Sequence, residues 1–88
     1  MRTGTVWKYH AAGQAFSLNL SKSAEFLFTC EQDNIGYMWF AVDPGAPTEQ
    51  RYFKCITSSG VVPMFGKYRG SFMVDRGAYM FHIFEVMR

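Results

Sequence analysis

Reactive side chains are few in this chain and stand far apart. His10, Cys30, Cys55 and His82 are all of its imidazoles and thiols. No two of them lie close enough in sequence to give the paired ligand spacing of a structural zinc site. Either histidine could serve as a general base if the fold set it beside a cysteine or a carboxyl, but nothing in the spacing requires that geometry. His82 reads as a surface or half-buried strand residue. The cysteines share a setting, Phe28-Thr29-Cys30 and Phe53-Lys54-Cys55, in which strand alternation points each thiol inward. A disulfide between them would be worth about 3 kcal/mol or somewhat more in loop entropy. With no leader visible, two reduced, buried cysteines acting as small hydrophobes are expected instead, and neither has the surroundings of a nucleophile. The carboxylates form no pair with the spacing of glycoside chemistry. Gly66-Lys67-Tyr68-Arg69-Gly70 has the outline of a phosphate loop but lacks the Ser or Thr after lysine, so it reads as a basic turn. No catalytic set, metal site or cofactor follows from these residues, which weighs against an enzyme.

Recognition is the chemistry that remains. Nine Phe, five Tyr, two Trp and six Met are many for the core so short a chain can enclose, and these types are enriched in interface cores. The leading expectation is a noncatalytic protein-binding module or small protein inhibitor, whose partner is another protein or a second copy in a homodimer. Candidate contacts are Trp7, Tyr9, Met38, Tyr52 and Tyr68, with Asp33, Asp43 and Glu49 on the acidic side; ordinary packing is the competing reading for each aromatic. The alternative is a β-barrel that binds single-stranded nucleic acid through segment 51–76. There Arg51, Lys54, Lys67, Arg69 and Arg76 interleave with Tyr52, Phe53, Phe65, Tyr68 and Phe72, offering phosphate neutralisation together with stacking. Nine basic residues in all are few for that role, and the acidic segment 25–49 would repel phosphate unless it faced away. The alternative requires Tyr52, Lys54, Lys67, Tyr68 and Arg69 on one continuous face.

The elements that must position these residues read as strands. At 88 residues and 10.1 kDa the chain is a single domain spanning 1–88, large enough for one core only. Rings and thioethers outnumber its three Leu and three Ile, a profile that favours strands. Residues 5–9 form a first strand. Ala15 to Leu20 alternates, with Phe16, Leu18 and Leu20 on one face. Residues 25–31 put Phe26, Phe28 and Cys30 on one face as a strand; a short helix near 22–31, capped by Ser21, is the competing reading, disfavoured by Phe28 and Thr29. Asp33-Asn34-Ile35-Gly36 is a turn. The run 37–42 is apolar at every position and reads as a strand covered on both sides, ended by Asp43-Pro44-Gly45-Ala46-Pro47. Residues 51–57 alternate, residues 61–65 read as a short edge piece because Pro63 lacks a donor, and strands over 68–74 and 78–87 flank a hairpin-type turn at Asp75-Arg76-Gly77. The fold class is all-β, a small antiparallel barrel or compact sandwich of about six to eight short strands.

Charge is bipolar along the chain. The net charge is +2, but residues 25–49 carry Glu25, Glu31, Asp33, Asp43 and Glu49 with no basic residue, and residues 50–76 carry five cations against Asp75 alone. Acidic and basic strands could pair across a sheet, or opposite faces could carry opposite charge and steer a partner. The opening MRTGTVWKYH has no apolar run behind it, and no stretch of about 18 apolar residues occurs, so a cytoplasmic protein with no membrane partner is expected.

Overall fold

Asp33 and Asn34 hold φ of 53° and 64°, the left-handed pair that a two-residue hairpin turn needs and that Asp and Asn tolerate. This turn joins β3 (Glu25–Gln32) to β4 (Ile35–Val42). The chain, a computed structural model that describes residues 4–86, also contains β1 (Thr5–His10), β2 (Ala15–Ser21), β5 (Thr48–Thr57), β6 (Gly66–Val74) and β7 (Tyr79–Val86). These strands form two antiparallel sheets, a three-stranded sheet in the order β1-β4-β3 and a four-stranded sheet in the order β2-β5-β7-β6. The all-β reading therefore holds, and the architecture is a sandwich of seven strands.

The core lies between the sheets. Leu20, Met38, Phe40, Val42, Phe53 and Ile83 are fully buried there, with Cys55 and Phe72 beside them. Rings do much of the filling, as the composition implies. Phe40 meets Tyr9, Phe26 and Phe53 edge-on at centroid distances of 5.7, 5.7 and 6.2 Å, an arrangement that aligns ring edges with ring faces.

Where the sheets close on each other, both strands are bulged. β3 slips register between Phe26 and Phe28, and β6 slips between Tyr68 and Ser71. β3 runs along β6 at this seam; Thr29 Oγ1 donates to the Arg69 carbonyl at 2.7 Å, and Gly70 sits at φ +101° with room for only a hydrogen beside Thr29. Extra residues of this kind bend and twist a strand, which lets two edges meet corner to corner.

Five local expectations are corrected. Residues 22–31 form no helix. Ser21 caps nothing helical; its hydroxyl accepts from the Asp43 N–H at 3.1 Å and its carbonyl from the Ala24 N–H at 2.9 Å, while β3 satisfies its backbone on β4. Residues 61–65 form loop rather than an edge strand, consistent with Pro63 and with the left-handed φ of 60° at Phe65. The expected basic turn at 66–70 is the start of β6 and its bulge. Cys30 does not share the inward face of Phe26, because the bulge moves Phe28 and Cys30 to the other side. The strand at 37–42 is covered by core on one face only, with Tyr37, Trp39 and Ala41 half-exposed on the other.

Candidate docking face

Alternation along β4 sends Met38, Phe40 and Val42 into the core and Tyr37, Trp39 and Ala41 outward. Register then decides what joins them. On one side Val6, Lys8 and His10 of β1 stand opposite Ala41, Trp39 and Tyr37; on the other, the β3 bulge brings Phe28 opposite Trp39 and Cys30 opposite Tyr37. The outer face of the three-stranded sheet thus carries a diagonal of rings. His10 lies 5.8 Å from Tyr37, Tyr37 6.3 Å from Trp39, and Trp39 5.8 Å from Phe28, centroid to centroid. Lys8 fixes the middle of this diagonal. Its ammonium stands 4.5 Å above the Tyr37 ring and donates to Gln32 Oε1 at 3.0 Å, spanning β4 from one neighbour to the other. Phe28 is 57% exposed and His10 is exposed at the two ends of the ladder, with Tyr37 and Trp39 half-exposed between them.

The outer face of the four-stranded sheet is organised differently. Lys54, Phe84 and Tyr68 form one cross-strand row and Tyr52 lies in the next, with Tyr68 packed on Phe84 at 5.3 Å. His82 sits between two hydroxyls, with Ser58 Oγ 3.3 Å from Nε2 and Tyr68 Oη 3.2 Å from Nδ1. The set lines up a hydroxyl, an imidazole and a second hydroxyl, but Tyr68 offers Nδ1 no fixed negative charge of the kind that stabilises an imidazolium in nucleophilic catalysis. Beyond this sheet, the 58–65 loop projects Val61, Met64 and Phe65 and roofs a groove of about 570 Å³ with Pro63 and Met64 over Phe16, Tyr52 and Phe53.

Between the sheets, a carboxylate serves two guanidinium groups. Arg51 reaches Glu85 Oε2 through Nε at 2.6 Å and Oε1 through a terminal nitrogen at 3.0 Å, and donates from its other terminal nitrogen to the Ala24 carbonyl at 2.8 Å. Arg69 binds Glu85 Oε1 at 3.0 and 2.9 Å. Arg51 also lies over the Phe40 ring and Arg69 over Phe26, at 5.5 and 5.4 Å, so both cations join the four-stranded sheet to the three-stranded one. Burial by itself pushes the Glu85 carboxyl up, but the hydrogen bonds from Arg51 and Arg69 outweigh it and hold the group below its ordinary range. Arg51 is raised by the Glu85 hydrogen bond against its own desolvation.

The residues singled out from sequence are scattered by this fold. Trp7 and Tyr9 lie on the core-facing side of β1, Trp7 46% exposed near the rim and Tyr9 half-buried against Phe40, its phenol raised by desolvation. Met38 is fully buried and offers no surface. Tyr52 and Tyr68 are on the outer face of the other sheet. Asp33 is in the β3–β4 turn, Asp43 accepts from the Gly45 N–H at 3.0 Å in the turn after β4, and Glu49 is exposed on β5. Among the cations, Arg51 and Arg69 turn inward to Glu85, Lys54 faces outward, Lys67 is exposed on β6 and Arg76 occupies the β6–β7 turn at φ 56°. Tyr52, Lys54 and Tyr68 share the outer face, whereas Arg69 turns inward to Glu85, so these residues do not lie on one continuous face. Phe28, Tyr37 and Trp39 were not among the residues singled out: the bulge between Phe26 and Phe28 leaves no mark in the sequence, and the unbroken apolar run of β4 hides which of its residues face outward.

Both cysteines are free. Cys30 lies on the outer face of one sheet and Cys55 on the inner face of the other, so the three-stranded sheet stands between them. Burial pushes the Cys55 thiol up, as suits an inert hydrophobe at the wall of an apolar cavity of about 280 Å³. Among the described residues no group of three or more His, Cys, Asp or Glu side chains could hold a metal ion, and no helix is long and apolar enough to cross a membrane.

No curated protein and no solved structure matches the chain. A family profile does match, from residue 2 to residue 88. The chain belongs to the family described as "Domain of unknown function (DUF7352)".

Proposed function

We propose that this domain is a noncatalytic protein-recognition module that seats another protein on the outer face of its three-stranded sheet. The observation that carries this reading is the solvent-open ladder of Phe28, Trp39, Tyr37 and His10, stiffened by Lys8. Rings held by neighbours lose little rotamer freedom on binding, and aromatic anchors supply most of the energy of recognition surfaces. Exposed rings grouped on one face of a small domain support that reading. Free Cys30 and Cys55 fit a reducing compartment such as the cytoplasm.

The test is capture of partners from native-host extract by the tagged protein, with and without nuclease, alongside a Phe28→Ser, Trp39→Ser variant and a Tyr68→Ser variant. The expected result is a stoichiometric protein that survives nuclease and salt, is lost with the Phe28 and Trp39 substitutions, and is kept with Tyr68→Ser. Retained nucleic acid, lost with Tyr68→Ser, would replace this reading by single-strand binding along the Lys54, Phe84 and Tyr68 row.

A further inference from the structure

We propose that the free edge of β1 pairs with the β1 edge of a second copy of this chain, antiparallel about a two-fold axis at Trp7. Among the described residues β1 has a neighbour on one side only. The bond from the Ala11 N–H to the Gly36 carbonyl, 2.9 Å, extends the β1–β4 register by one residue and fixes its phase. Hydrogen-bonded and non-hydrogen-bonded pairs alternate in an antiparallel ladder, so Thr5, Trp7 and Tyr9 direct their backbone groups to β4. Val6, Lys8 and His10 direct theirs off the edge.

This edge carries one blunting device, Lys8, whose ammonium is drawn over β4 to Tyr37 and Gln32. It contains no proline, and its register with β4 is unbroken. β3 and β6 are bulged and meet each other. β2 is also open, but the residues that present its free backbone are Ala15, Ser17 and Asn19 by the same phase argument from the Cys55 N–H to Gln14 carbonyl bond. β1 presents its free backbone at Val6, Lys8 and His10, and what separates it from β2 is Trp7 between them, a ring 46% exposed at the rim that a second strand would cover.

Its sequence also selects the occupant. Opposed residues in an antiparallel pair share a face, so a two-fold axis must pass through a residue of β1. An axis at Lys8 opposes two like charges, which is destabilising, and an axis at Val6 shortens the overlap. An axis at Trp7 opposes Trp7 to its own copy, Val6 to Lys8 and Thr5 to Tyr9. Trp7 then falls at a non-hydrogen-bonded position, where side chains approach most closely, and among the described residues no ring packs on it within the chain. Pairing would merge two three-stranded sheets into one continuous sheet, independently of what the outer face binds.

Mass by light scattering at tens of micromolar tests this. The expected value is twice 10.1 kDa for the wild type and the single-chain value for Val6→Pro, which removes an N–H directed off the edge and none that β4 uses; unchanged far-ultraviolet dichroism verifies its fold. Cross-linking supplies the second arm. In a Cys30→Ser background treated with oxidised glutathione, Trp7→Cys is expected to give a disulfide dimer, two thiols losing their protons and two electrons to the glutathione disulfide, whereas Lys8→Cys, set too far from its copy, stays monomeric. A monomeric wild type, a Val6→Pro dimer, or equal cross-linking at both positions overturns the proposal.

Discussion

The two sides of the sandwich manage their strand edges in opposite ways. At the β3–β6 seam both strands are bulged, Gly70 admits Thr29 without a side chain of its own, and Arg51, Glu85 and Arg69 bind across the layers. On the far side β1 and β2 carry no bulge and, among the described residues, pair with no strand beyond β4 and β5. The contrast shows where the domain's stability is concentrated and where its backbone remains available. A closed seam resists change, whereas an open one accepts it.

The most damaging substitution should therefore fall in the closed seam. Glu85→Ala leaves two guanidinium groups facing each other without a carboxylate. Removing one partner of a buried ion pair costs about 3–5 kcal/mol; these side chains keep 13–17% exposure, so about 2–4 kcal/mol is expected, read as a fall in the urea midpoint. Gly70→Ala comes next. It forces a Cβ into the left-handed region at φ +101° and within 3.1 Å of Thr29, for a loss of about 1–3 kcal/mol by the same measurement.

Acid is a gentler way to open the same seam. A carboxyl held below its unfolded value contributes stability that is fully present above the unfolded range near pH 4 and disappears as pH falls through the folded value. The wild type should lose stability more steeply below about pH 4 than Glu85→Gln, which has no such proton to bind; midpoints measured against pH check this. The smallest effect belongs to the open side. Asn19→Ala on β2, exposed and outward, should change stability by no more than about 0.5 kcal/mol, and a larger loss there would erase the contrast between the two sides.

Sequence pattern revealed the strands more fully than their faces. Alternation in Phe16-Ser17-Leu18-Asn19-Leu20 maps directly onto β2, because a strand with one wet face records its orientation in every second residue. Tyr37 to Val42 carries no such record, since rings and small apolar residues occupy both faces. The bulge near Leu27 is worse for pattern reading, because one extra residue reverses the side on which everything after it lies. The Arg51–Glu85–Arg69 cluster was concealed for a different reason. Its carboxylate comes from the final strand, outside the acidic stretch 25–49, so bipolar charge along the chain pointed to cross-strand pairing without identifying the partner that Arg51 and Arg69 use.

The chain's two tryptophans occupy opposite faces of the same three-stranded sheet, Trp7 on the core side at the rim and Trp39 in the outer ladder. They are therefore two separate optical reporters built into one small domain. With one replaced by Phe, the emission of the other tracks a single event, Trp7 the fate of the β1 edge and Trp39 the covering of the outer face, so the two kinds of association can be followed separately in one cuvette without an added dye.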